Sequence, residues 1–178
     1  GLGAGFIVPF FNVFFEKKLL ATTEEIGVLY ALGAVTMAIG TLLAPVLSSR
    51  VGKVNAICLT QFCSVPFISA IALSNNLPIS GFSYLMRGAL MNMAGPIGGT
   101  FIMEAVEPRE RATTSGLMTM ADNVLRASTA ILAGQMMSSG DYILPYHFTS
   151  ALYLTASTLY FVFFRKMEKP KVERTARA

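Results

Sequence analysis

Ile26-Gly27-Val28-Leu29-Tyr30-Ala31-Leu32-Gly33-Ala34-Val35-Thr36-Met37-Ala38-Ile39-Gly40-Thr41-Leu42-Leu43-Ala44-Pro45-Val46-Leu47-Ser48 is a run of 23 residues without one charge. At 1.5 Å per residue a helix over 26–48 exceeds the ~30 Å of a bilayer's hydrocarbon layer. Similar stretches follow at about 54–74, 80–103, 112–138 and 147–164, and a shorter one occupies 1–15. Only 13% of the chain is charged and 53% is apolar, against about 25% charged in soluble domains. One soluble core of this size cannot take up so many apolar runs. The expected fold class is therefore an all-α membrane protein, a bundle of six transmembrane helices over 1–166, with a basic tail at 167–178. The first span is short. It opens on Gly1-Leu2-Gly3-Ala4-Gly5 without Met, cap or polar flank, and reads as cut from a longer chain.

The net charge of +4 is a property of the C-terminal end, where Arg165, Lys166, Lys169, Lys171, Arg174 and Arg177 outnumber Glu168 and Glu173. No basic stripe alternates with aromatics, so nucleic acid is not an expected partner. Membrane lipid is. Cys58 and Cys63 lie five apart on different sides of one helix, as small hydrophobes, and no metal or cofactor is expected. Lys and Arg sort by side. Arg50, Lys53, Arg109, Arg111 and the six basic residues at the C-terminal end face only Lys17 and Lys18, ten against two. The positive-inside rule puts the 49–53 turn, the 104–111 loop and the C-terminus in the cytoplasm of a multi-pass plasma-membrane protein.

Small residues recur four apart at Gly1 and Gly5, Gly40 and Ala44, Gly95 and Gly99, Ala112 and Gly116, and Ala130 and Gly134, the spacing that lets membrane helices approach closely. Pro9, Pro45, Pro66 and Pro96 are expected kinks, or simply shape a static bundle.

Two loops carry motifs. After the second span stands Ser48-Ser49-Arg50-Val51-Gly52-Lys53, and before the fifth Glu107-Pro108-Arg109-Glu110-Arg111-Ala112-Thr113-Thr114-Ser115-Gly116. Together they resemble cytoplasmic signatures of the major facilitator superfamily. Arg50, Gly52 and Lys53 match the later part of the first signature. Pro45 stands at its first glycine and Ser49 at its acid, so a latch in this half is expected to be weaker. Pro108 and Arg111 belong to the second signature, which points to the C-terminal half of such a transporter. The resemblance implies half of a major facilitator fold, built of two three-helix repeats, with the N-terminal six-helix half of the same transporter as partner. It further implies alternating access to a site near the midplane, lined by the first, second, fourth and fifth spans. Gly95-Pro96-Ile97-Gly98-Gly99 is similar to the glycine and proline motif of drug antiporters, one residue short and in the fourth span instead of the fifth. It is read as a packing and kink site, with export as the alternative.

Arg87, Asp122 and Arg126 lie inside apolar spans, where a central charge costs about 2.5–3.5 kcal/mol on insertion scales. Counted from the outer surface, Arg87 is about seven residues deep, Arg126 about eight and Asp122 about twelve. A polar cluster between the fourth and fifth spans is expected, with Asn92 and Asn123 near Asp122, and with Asn12 and Tyr30 as further lining residues. Its sum of +1 invites an anionic group, and Asp122 is a candidate proton carrier. A structural ion pair is the plainer reading. The expected function is secondary active transport of a small solute, coupled to protons by symport or antiport. The alternative is a six-span protein acting as a homodimer or structural subunit. An enzyme is not expected. A rhomboid-like protease would need a serine and histidine pair, and here only Ser83 and His147 are available, both near the outer edge.

Overall fold

The computed structural model describes residues 1–164. The basic tail expected at 167–178, and the last two residues of the 1–166 domain, lie outside the described residues. Among the described residues the structure is helical throughout, with no strand. It contains α1 (Leu2–Ile7), a 3-10 turn (Val8–Phe10), α2 (Phe11–Lys17), α3 (Thr23–Val51), α4 (Lys53–Leu73), α5 (Leu77–Ala105), α6 (Arg111–Ser138) and α7 (Leu144–Phe164). By length and composition α3 and α4 are able to cross a membrane.

The stretch expected as a continuous first span is broken. Pro9 has no N–H to give the helix, and the chain passes from α1 to α2 through the 3-10 turn. Pro45, Pro66 and Pro96 instead lie within α3, α4 and α5. α3 runs three residues beyond the expected 26–48 at each end. At its start Thr22 and Glu25 form a capping box, Thr22 N–H donating to Glu25 Oε2 at 2.8 Å and Glu25 N–H to Thr22 Oγ1 at 3.3 Å. At its end a single residue, Gly52, turns the chain into α4 with φ 92°, a conformation a side chain would strain.

α5 packs against α3 and α4, α4 also against α7, and α1 against α6 and α7. Close approach is made by small residues. A Cβ on Gly40 would stand 2.5 Å from the Ala89 carbonyl oxygen, and one on Gly5 would stand 2.5 Å from that of Arg126. Gly95, Gly99 and Gly116 have nothing within 4 Å of such a Cβ, so those expected packing pairs face open space. Aromatics fill one half of the core, with Phe11, Phe14, Phe15, Tyr84, Tyr146 and Tyr153 meeting from α2, α5 and α7. A smaller cluster of Ala44, Ile57, Ala94 and Ile97 closes the other end of α3, α4 and α5.

α3 and α6 flank the bundle and are largely uncovered. Only Gly33, Gly40 and Ala44 are buried along the whole of α3. Val28, Leu32, Val35, Ile39, Leu42 and Val46 form an exposed stripe at alternating steps of four and three, one continuous helix face. A stripe of this kind needs lipid or another helical surface.

Candidate functional site

The charges expected inside apolar spans fall into two groups. On α6, Arg126 Nε donates to Asp122 Oδ2 at 2.6 Å, the one-turn spacing placing both side chains on a single face. The Gly1 nitrogen lies 3.0 Å from the other carboxylate oxygen, Oδ1. Asp122 and Arg126 are 41% and 46% exposed, so this is an ion pair open to whatever occupies the uncovered side of α6. Close packing of Gly5 on the Arg126 backbone and on the Thr129 side chain sets its distance from α1.

Arg87 is placed differently. It is only 4% exposed, its Nη2 donates to the Tyr153 hydroxyl at 3.3 Å, and its guanidinium carbon lies 5.2 Å from the centre of the Phe11 ring. No carboxylate of the described residues lies within 4 Å of it. A buried cation over an aromatic face gains about 0.5–2 kcal/mol, less than the ~2.5–3.5 kcal/mol that insertion scales assign to a central arginine. The expected single cluster between the fourth and fifth spans is therefore not formed. α6 packs on α1, whereas α5 packs on α3 and α4, and Phe11 and Tyr153 take the space on the Arg87 guanidinium.

Asn92 Nδ2 donates to the Gly88 carbonyl at 2.8 Å, within its own helix, and Asn123 is exposed on α6. Asn12 and Tyr30 are brought together: the Tyr30 hydroxyl lies against the Asn12 backbone, and its ring centre is 5.9 Å from that of Tyr84. Tyr30 thus reaches from α3 towards the aromatic cluster around Phe11.

At the opposite end, Lys53 Nζ lies 2.5 Å from Glu104 Oε1 on α5. Ser49, standing where an acid was expected, donates to the Val46 carbonyl of its own helix at 2.9 Å. The carboxylate facing the α3–α4 turn therefore comes from α5. Reasoning along the chain missed Glu104, because its partner is 51 residues away. Its only signal was an acid at the end of an apolar run, beside a loop assigned to the basic side. Arg50 is exposed in the last turn of α3, and Pro108 and Arg111 are exposed at the entry to α6. Gly95 and Pro96 are exposed too; Pro96 lines a cavity of about 150 Å³ with Pro45, Ser48, Lys53 and Thr100. The two prolines thus face one gap between α3 and α5.

Outside the spans, Lys18 ends α2 by donating to the Ala72 carbonyl at the end of α4, with its ammonium 5.1 Å from the centre of the Phe14 ring. Burial there pulls the Lys18 pKa below its ordinary value.

The Asp122–Arg126 ion pair thus lies on an uncovered helix face of an otherwise apolar helical bundle. An uncharacterized transporter of Buchnera aphidicola subsp. Schizaphis graminum (strain Sg) is 24% identical over 119 residues, a match that covers 67% of this chain and 29% of that protein. The chain thus corresponds to less than a third of the relative's length. The family model described as Major Facilitator Superfamily matches residues 1–178. The chain belongs to the Major Facilitator Superfamily.

Proposed function

We propose that this chain is a six-helix half of a secondary active transporter that moves a small solute by alternating access. The half-exposed Asp122–Arg126 pair on the uncovered face of α6 carries the reading. A charged pair facing lipid would be costly, whereas facing an aqueous pathway it remains solvated and able to exchange a proton or meet a charged solute. In this reading the six segments each cross the plasma membrane, with the C-terminus in the cytoplasm. An N-terminal six-helix half of the same protein covers α3 and α6, and Asn12, Tyr30 and Asn123 line the pathway beside the pair. Arg87 and Asn92 stand behind it.

Asp122 is proposed to carry the coupling proton while Arg126 holds its charge or a solute anion. Arg50, Gly52, Lys53, Pro108 and Arg111 belong to the loops that change partners between conformations, and Gly95 and Pro96 let α5 bend. Export is a variant of the same scheme. The competing reading, a homodimer or structural subunit without transport, would also cover the α3 stripe.

Reconstitution of the protein carrying this chain into proteoliposomes, with imposed proton and solute gradients and an internal pH dye, tests both readings. Solute-driven proton flux that Asp122→Asn removes is the expected result. Normal transport by Asp122→Asn at every pH ends the proton role, and failure to move any of a broad panel of solutes supports the structural reading.

A further inference from the structure

α4 and α7 pack against each other, and along their seam lies an open groove of about 400 Å³. It is lined by Asn55, Cys58, Leu59 and Phe62, which share one face of α4, and by Thr158 and Phe161 of α7. Among the described residues neither α3 nor α6 contributes to the lining, so the groove is distinct from the faces assigned to the other half. Two of its polar groups are already bonded. Cys58 Sγ donates to the Ser157 carbonyl oxygen at 3.5 Å, and the Thr158 hydroxyl to that of Leu154 at 2.8 Å. What remains is a trough of hydrocarbon and ring surface, in which Leu59 and Phe62 are 48% and 41% exposed. A polar solute finds little to bond there, whereas an apolar chain removes that surface from water or detergent.

The groove has a direction. Val54 and Cys58, near the start of α4, cluster with Phe161 and Phe164 of α7, so Asn55 and Phe161 stand at the same end of the bundle. Leu59 and Phe62 lie one and two turns deeper. α4 is long and apolar enough to cross a membrane, and from Asn55 to Phe62 it rises ~10 Å, about two thirds of one leaflet of a ~30 Å hydrocarbon layer. At the mouth, Asn55 Nδ2 gives one N–H to the Val51 carbonyl at 2.9 Å and has a second to give. Four residues beyond Phe161 the sequence turns basic, with Arg165, Lys166, Lys169, Lys171, Arg174 and Arg177 against Glu168 and Glu173. Such a cluster at the end of a membrane helix attracts anionic headgroups. The tail itself suits the trough poorly, since Met167 and Val172 are its only large apolar side chains.

We propose that the groove between α4 and α7 binds one anionic phospholipid, with an acyl chain along Leu59 and Phe62 and the phosphate headgroup at the mouth, met by Asn55 and the basic residues that follow Phe164. The site rests on the membrane placement proposed above and not on transport.

The test is native mass spectrometry of the full protein in a nonionic detergent, titrated with phosphatidylglycerol and with phosphatidylcholine of identical acyl chains. Phosphatidylglycerol is expected to form one saturable adduct, with an affinity at least about fivefold above that of phosphatidylcholine, because chain and headgroup act together. Leu59→Trp fills the trough and should weaken phosphatidylglycerol binding by a similar factor. Joint replacement by Arg165→Gln, Lys166→Gln, Lys169→Gln and Lys171→Gln should bring it down to the phosphatidylcholine level, and it decides the matter even if Leu59→Trp fails to fold. Glycerol 3-phosphate, a headgroup without chains, should not displace the lipid. Equal affinities for the two lipids, undiminished binding in the joint variant or in folded Leu59→Trp, or displacement by glycerol 3-phosphate overturns the proposal. So does a dimer that Leu59→Trp abolishes, which would make a second copy the occupant, and so does a protein that stays monodisperse without detergent. A selective adduct in a protein that moves no solute leaves this site standing and removes the transport reading alone.

Discussion

Lys53 Nζ and Glu104 Oε1 lie 2.5 Å apart, tying the turn between α3 and α4 to the last turn of α5. Lys53 is mostly buried by its neighbours, its side chain 15% exposed, while the Glu104 side chain is 55% exposed. Half-solvated pairs are worth little more than surface ones, about 1 kcal/mol or less. A double-mutant cycle of Lys53→Met and Glu104→Gln, read by thermal melting in nanodiscs, should return a coupling energy of about 0.5–1 kcal/mol. Additive single effects would mean that the contact does not contribute to stability.

Gly40 is a stricter requirement. With its Cβ position 2.5 Å from the Ala89 carbonyl oxygen, any side chain must push α3 away from α5, and the obstacle is backbone. Gly40→Val should destabilise the protein by about 1–3 kcal/mol, the usual range for overpacking. Gly27, with nothing within 4 Å, supplies the contrast: Gly27→Ala should be neutral or stabilising by up to about 1 kcal/mol through helix propensity. Equal melting temperatures for Gly40→Val and wild type would show that α3 and α5 do not meet this closely.

The helices from α3 onward were legible because each is an uncharged or sparsely charged run bounded by polar residues. Their ends were less so. The capping box at Thr22 and Glu25 was present in the sequence, but hydropathy counts only where the apolar run begins. Pro9 announced a kink, and the chain in fact breaks there. The site was harder. Depth from residue counting fixes position along a helix axis but says nothing of which neighbour the helix turns towards. Arg87 was thus placed level with Arg126, although it faces Phe11 and Tyr153 from α2 and α7. Gly52 was readable as a motif residue, but its 92° φ and the pairing of Lys53 with Glu104 depend on three helices meeting.

Lys18 has a folded-state pKa below that of an ordinary lysine, which is near 10.5, because burial disfavours the ammonium. Below the folded value the residue is protonated in both states and its full cost is present. Between the folded value and 10.5 the unfolded chain binds more protons than the folded one, so stability rises with pH. Melting temperature measured on the alkaline side should therefore fall less steeply for wild type than for Lys18→Met, in which this contribution is gone. Parallel profiles for the two proteins would mean that the ammonium is not desolvated.

Phe11 couples the broken first segment to the buried cation. It is 3% exposed, stacks with Phe15, meets Tyr84 edge-on and lies over Arg87. Phe11→Ala removes a buried ring and should cost about 3–5 kcal/mol, whereas Phe11→Leu keeps most of the volume and should cost less. The two losses differ in kind, because Leu fills the space but offers no π face to the guanidinium. A cycle of Phe11→Leu with Arg87→Met should thus reveal a favourable coupling of about 0.5–2 kcal/mol, the range for a cation over an aromatic ring. Zero coupling, with Phe11→Leu still destabilising, would assign Phe11 to packing alone and leave the charge of Arg87 to the Tyr153 hydroxyl.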